Sequence, residues 1–239
     1  AQANIQAFIP CGGFKDTINH ANIGRFLANF KELKFIVEGA NVFFDDASRR
    51  HIALFSDIKQ IKDSSANKGG VFSSSVAEVL TAFLLGEDYE EKLMEDIDTK
   101  WALTKDIMLL VEKYAAAETG MLIQIHEETK TPLFQLSEIT SEQIFALQAI
   151  CEENLPLILG NENLVCQIME SYIPAILITK LGKESIMTTL NSDAIKAYRD
   201  AIITKKLSSM AFYKYGQNWD TFMSRVNDDF SSAIATIIQ

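Results

Sequence analysis

Residues 62–75 read Lys62-Asp-Ser-Ser-Ala-Asn-Lys-Gly-Gly-Val-Phe-Ser-Ser-Ser75. Small polar residues and the pair Gly69-Gly70 separate an apolar run, Ile58-Lys-Gln-Ile-Lys62, from Val76, Val79, Leu80, Phe83 and Leu84. The second set repeats at the spacing of one helix face. The stretch therefore reads as a strand, a glycine-containing turn and the start of a helix. Such a junction is suited to an anion or a cofactor. The first turn of a helix has unbonded N–H groups and the positive end of the dipole. Glycine lets the backbone approach a ligand closely, and the hydroxyls of Ser73, Ser74 and Ser75 add donors. On this stretch alone the residues read first as a plain helix start with serines as caps.

Upstream, the pattern alternates. Ile5 to Pro10 is strand-like and ends in Cys11-Gly12-Gly13. Ile18 to Phe30 is helical, with Ile18, Ile23, Phe26, Leu27 and Phe30 on one face. Leu33 to Val37 is a strand, followed by Glu38-Gly39-Ala40-Asn41; Asp46 to Phe55 is a helix; Ile58 to Lys62 is a third strand. Strands separated by single helices predict crossovers and a parallel sheet. Ligands bind beyond the carboxyl ends of such strands. Three small-residue turns fall on that edge: Cys11–Gly13, Gly39–Asn41 and Ser64–Gly70. A complete dinucleotide-binding sheet has two βαβαβ halves, the first carrying G-x-G-x-x-G. That motif is absent, so the sheet is read as starting partway through.

From Val71 onward the pattern is all helical. Trp101 to Lys130 reads as one helix, or as two broken at Gly120, stopped by Thr131-Pro132. Thr140-Ser-Glu-Gln143 has the form of a capping box for a helix from Ile144 to Glu153. Pro156 and Gly160 bound a loop, and two short helices flank Pro174. Ser192 caps a helix running to Gly216, and the last helix spans about Trp219 to Ile238.

The chain has 239 residues, 48% of them hydrophobic and 23% charged. The net charge of -10 argues against a general nucleic-acid binder. Cys11, Cys151 and Cys166 form no C-x-x-C pair and read as free thiols in a reducing, cytoplasmic setting. No uninterrupted apolar run has the length of a membrane span, and no signal peptide is recognised. Glu87 to Asp98 holds seven acidic residues and reads as a solvated helix start. His20, His51 and His126 are dispersed, so no metal site is expected. Cys11 has no histidine near it in sequence and reads as a packed thiol. Lys196, Arg199, Lys205, Lys206 and Lys214 make the penultimate helix basic, with intramolecular pairing the expected use.

Three segments in this order carry a resemblance: Phe8-Ile-Pro-Cys-Gly-Gly13, Lys34-Phe-Ile-Val-Glu-Gly-Ala-Asn-Val-Phe-Phe44 and Lys62-Asp-Ser-Ser-Ala-Asn-Lys-Gly-Gly-Val71 with Ser73-Ser-Ser75. Together with Tyr198-Arg-Asp-Ala-Ile-Ile-Thr-Lys-Lys-Leu-Ser-Ser-Met-Ala-Phe212, they resemble the glutamate dehydrogenase family, and most closely its long-chain NAD-dependent class. The resemblance covers the C-terminal portion of such an enzyme. It implies a fold of two parts: residues 1–70 as the second half of a Rossmann-type dinucleotide-binding sheet (a partial α/β domain), and residues 71–239 as an all-α helical domain. It implies NAD as cofactor and L-glutamate, 2-oxoglutarate and ammonia as reactants. Cys11, Gly12 and Gly13 would pass the nicotinamide-side ribose through backbone. Asn41 would contact the nicotinamide end and Asn67 the ribose; asparagine donates and accepts at once, which suits both. Ser74, by ungapped spacing, would contact the substrate's side-chain carboxylate, with Ser73 and Ser75 as the alternatives. Phe72 stands where the family usually has a small residue, a departure beside the substrate pocket that the resemblance implies.

The family's catalytic lysines and aspartate and its phosphate-binding turn have no counterpart here. The expectation is a piece of a longer enzyme, inactive alone, that self-associates through an open sheet edge. The rival reading is a non-catalytic helical assembly module. The two are separated by whether Asn41 and Asn67 face one crevice.

Overall fold

The computed structural model describes residues 4–238. The chain forms two compact units whose membership is not linear in sequence: 1–69 with 122–141, and 70–121 with 142–239.

In the first unit, three short strands, β1 (Ala7–Phe8), β2 (Phe35–Val37) and β3 (Lys59–Ile61), form one parallel sheet in the order β1-β2-β3. The parallel prediction is met. The strands are shorter than the apolar runs that announced them. Helices α1 (Ile23–Asn29) and α2 (Asp46–Phe55) connect them. α1 starts later than the periodicity suggested, because Ile18 leaves the helix to bridge Phe44. α2 has the predicted limits; Asp45 caps it by accepting from Ser48 N at 2.7 Å. Ile23, Phe26, Leu33, Ile36, Phe43, Phe44 and Ile52 make the core. Phe26 meets Phe44 edge to face at 5.8 Å, a favoured aromatic geometry.

The predicted turn at Ser64–Gly70 is instead helical: α3 (Asp63–Ala66) is followed by α4 (Lys68–Ser74). A π-helical turn (Ser75–Leu80) and α5 (Thr81–Leu85) continue the run. Helical hydrogen bonding outweighs the Gly-Gly signal here. By length and composition, 63–88 is a helix long and apolar enough to cross a bilayer, its most apolar 18 residues having a mean hydropathy of 1.4. The run is interrupted by polar residues, and core helices of water-soluble proteins pass the same criterion.

α6 (Ile97–Thr129) is one helix, uninterrupted at Gly120, and Lys130 in the left-handed region (φ 59°) ends it. α7 (Leu133–Glu153) overrides the supposed capping box, since Thr140 lies buried in its middle. The supposed loop at Pro156 is helix α8 (Leu155–Leu159). In α9 (Glu162–Tyr172) and α10 (Ala175–Leu181) the chain bends by 116° at the Pro174 break. α11 (Lys183–Leu190) precedes α12 (Lys196–Tyr215), which starts after Ser192 rather than on it. The last predicted helix is two, α13 (Trp219–Asp228) and α14 (Phe230–Ala235). Asp229 makes the break and caps α14 through Ser232 N at 3.1 Å.

Within the second unit, α12 buries Lys206, with its Nζ 2.7 Å from the centroid of the Tyr114 ring. Burial, then the charge of Lys113, lower its pKa to about 6. The expected pairing of the basic helix holds for Lys196 with Asp193 and Arg199 with Asp200, and fails for Lys206.

Candidate functional site

The carboxyl ends of the three strands are laced together within the first unit. Gly39 lies against the turn after β1; a Cβ there would stand 3.1 Å from Pro10 O and 3.2 Å from Cys11 Sγ. Gly13 has φ +128°, and a Cβ on it would come within 2.8 Å of the Phe43 ring. Gly13 is thus required by its backbone angle and close approach, and at Gly39 a Cβ would have to push its neighbours back by a few tenths of an ångström. Gly12 faces open space, and Cys11 is a free thiol that is exposed rather than packed as expected.

Below the second turn sits a buried ionic cluster that sequence reasoning missed. Arg49 of α2 donates to both Glu38 oxygens, Nε at 2.9 Å and Nη2 at 2.7 Å. Gln60 of β3 donates to Glu38 at 2.9 Å, and Asp46 takes the outer Arg49 nitrogen at 2.7 Å. Glu38 is fully buried and Arg49 nearly so. Burial raises the Glu38 pKa above the ordinary carboxylate value, while Arg49 and Gln60 pull it down. The fork-to-fork geometry is that of an ionised pair. It anchors the backbone of Glu38-Gly-Ala-Asn41 from beneath. No pattern signals pairing between residues so far apart in sequence; the unusual mark was a glutamate ending an apolar strand.

Above the cluster, Asp63 Oδ2 accepts from Val42 N at 2.7 Å. Asn67 Nδ2 donates to Asn41 Oδ1. The two asparagines named from sequence are therefore brought together at the carboxyl edge of the sheet, with Asn41 exposed and Asn67 half-buried. Their mutual bond leaves one amide donor and one amide acceptor unengaged, whichever way the two amides are turned. That donor set, with the open backbone at Gly12, fits a ribose hydroxyl or a carboxamide.

The serines belong to the second unit and do not have the predicted setting. The helix has already begun at Lys68, so Ser73 to Ser75 are not in a first turn and the dipole argument for them falls. Ser75 Oγ is held by Tyr172 OH at 2.7 Å and Tyr198 OH at 2.6 Å. Ser73 donates to Gly70 O at 2.9 Å. Ser74 is exposed and its hydroxyl makes only a 3.3 Å bond to the Glu78 carboxylate. Phe72 packs edge-on against Tyr172 at 5.2 Å, which uses it in the helical core. Among the described residues no group of His, Cys, Asp or Glu gathers that could hold a metal ion.

A parallel strand-helix-strand-helix-strand unit thus carries two paired asparagines at its carboxyl edge. The family model of the Glutamate/Leucine/Phenylalanine/Valine dehydrogenases matches residues 1–124. The chain belongs to that family. It is 32% identical over 226 residues to "Glutamate dehydrogenase 2" of Dictyostelium discoideum, covering 92% of this chain and 21% of the relative. It is 28% identical to the "NAD-specific glutamate dehydrogenase" of Saccharomyces cerevisiae, covering 89% and 20%. The Neurospora crassa protein of the same name is 26% identical, covering 90% and 20%. The chain spans about a fifth of the length of these curated relatives. No solved structure matches it significantly.

Proposed function

We propose that this chain is part of an NAD-dependent glutamate dehydrogenase, which converts L-glutamate, NAD and water to 2-oxoglutarate, ammonia and NADH. The observation that carries the reading is the meeting of Asn41 and Asn67 at the carboxyl edge of a parallel sheet. It favours the enzyme over a non-catalytic helical module, because neither asparagine is consumed in a helix contact. The sheet unit is read as the second half of a Rossmann-type domain and the rest as a helical domain.

Each residue then has a role. The backbone of Cys11, Gly12 and Gly13 flanks the nicotinamide-side ribose. Asn41 and Asn67 orient the nicotinamide end through their free amide donor and acceptor. The Glu38–Arg49 pair keeps the Asn41 turn rigid. Ser74 donates to the substrate's side-chain carboxylate, exchanging its long bond to Glu78 for that contact. NAD, when bound, supplies the hydride acceptor. Hydride transfer needs both reactants at near-attack distance, and this chain holds contacts to each without the acid and base groups. It therefore turns over no glutamate by itself. It works in the cytoplasm within a homo-oligomer.

The test is Asn67→Ala in the full-length enzyme. Losing one ligand hydrogen bond raises KM for NAD by up to about tenfold. An unchanged KM for NAD would remove Asn67 from the cofactor site, and with Asn41→Ala unchanged as well the cofactor reading falls.

A further inference from the structure

We infer that Asp63 is a positioning residue for Asn41, clamping the left-handed peptide at Val42 and fixing the carboxamide that meets Asn67. The inference rests on the cofactor reading above and goes beyond it, since Asp63 touches no ligand in that scheme.

Val42 has φ 50°, a conformation that a β-branched side chain strongly disfavours. Such a residue keeps that conformation only when its surroundings determine it. Two bonds do so: Val42 N donates to Asp63 Oδ2 at 2.7 Å, and Asp16 N donates to Val42 O at 2.8 Å. The Asp63 carboxylate is itself fixed, because Oδ1 accepts from Ser64 N at 2.9 Å. The same residue also holds the other partner. Asp63 O accepts from Asn67 N at 3.0 Å, closing α3 directly under the second asparagine. One aspartate thus grips Asn41 through its neighbour and Asn67 through the backbone. With Asp63 lost, Val42 is free to leave the left-handed region, and the Asn41 side chain turns with it.

The experiment titrates NADH by fluorescence into the full-length enzyme, with melting temperatures measured alongside. Asp63→Ala weakens NADH binding about tenfold. Asp63→Asn keeps a carbonyl acceptor, and charge-assisted bonds are only roughly twice as strong as neutral ones, so it stays within about threefold of wild type. Val42→Gly in the Asp63→Ala background restores most of the affinity, because glycine adopts the left-handed region without strain. Wild-type affinity in Asp63→Ala, with Asn41→Ala weakened, refutes the positioning role and leaves the cofactor reading standing. A loss in Asp63→Ala that Val42→Gly does not recover, with a lowered melting temperature, also refutes it and marks Asp63 as structural only. Wild-type affinity in both Asn41→Ala and Asn67→Ala refutes the cofactor reading itself.

Discussion

Replacing Lys206 by methionine should stabilise the protein, by an amount that depends on pH. Lys206 as a whole is 7% exposed, and Tyr114, whose ring its amine covers, stacks on Tyr213 at 6.3 Å. The ring face attracts an ammonium by about 1–2 kcal/mol. Burial and the charge of Lys113 oppose that charge more strongly and lower the pKa from 10.5 to about 6. At pH 7 the folded lysine is neutral and the unfolded one is charged. One pKa unit corresponds to about 1.4 kcal/mol, which sets a ceiling of roughly 5 kcal/mol on the cost at that pH. Relaxation around the amine lowers it, so Lys206→Met should gain about 2–4 kcal/mol. The unfolded state binds the extra proton, so wild-type stability rises with pH from the folded pKa toward the unfolded one. The advantage of the variant should therefore shrink by about 1.4 kcal/mol per pH unit. The window is about pH 6.5 to 8.5; burial raises Cys151, Tyr172 and Tyr213, and their ionisation is common to both proteins and cancels in the difference. Urea denaturation followed by circular dichroism across that window gives both quantities. A variant less stable than wild type, with a gap that does not change with pH, would refute the reasoning: Lys206 would then be an ammonium held by the ring.

Two further outcomes follow from the site. Glu38→Ala leaves the buried Arg49 charge without its main partner and should cost about 3–5 kcal/mol in denaturant midpoint measurements; a cost under about 1 kcal/mol would mean that Arg49 finds water instead. Ser74→Ala in the full-length enzyme should raise KM for 2-oxoglutarate about tenfold while the Kd for NADH holds; an unchanged KM would return Ser74 to a role on the helix surface.

The sheet was legible in the sequence because β1 to β3 alternate with helices whose apolar residues keep a helical period. Asp46–Phe55 was read to the residue, since Asp45 caps it and Ser56 closes it. Several errors share one cause: local punctuation was outweighed by helical bonding and packing. Gly69-Gly70 read as a turn, Thr140 as a helix start and Pro156 as a loop boundary, and all lie in helices. The converse happened at Asp229, where a helix breaks inside an unbroken amphipathic pattern. Asn41 and Asn67 could be named because they sit in ordered motifs. The Glu38–Arg49–Gln60 cluster and the Asp63–Val42 bond could not, because they join residues 11 to 22 positions apart with no periodic signature. Lys206 did leave a sign, since it stands in line with Ile202, Ile203 and Met210 on the apolar stripe of α12.

The most direct measurement is NADH formation at 340 nm by the full-length enzyme containing this chain, with L-glutamate, L-leucine, L-phenylalanine and L-valine compared at saturating NAD. The account predicts turnover with glutamate that exceeds the other three in kcat/KM. No turnover with glutamate, or a preference for one of the apolar amino acids, would contradict it.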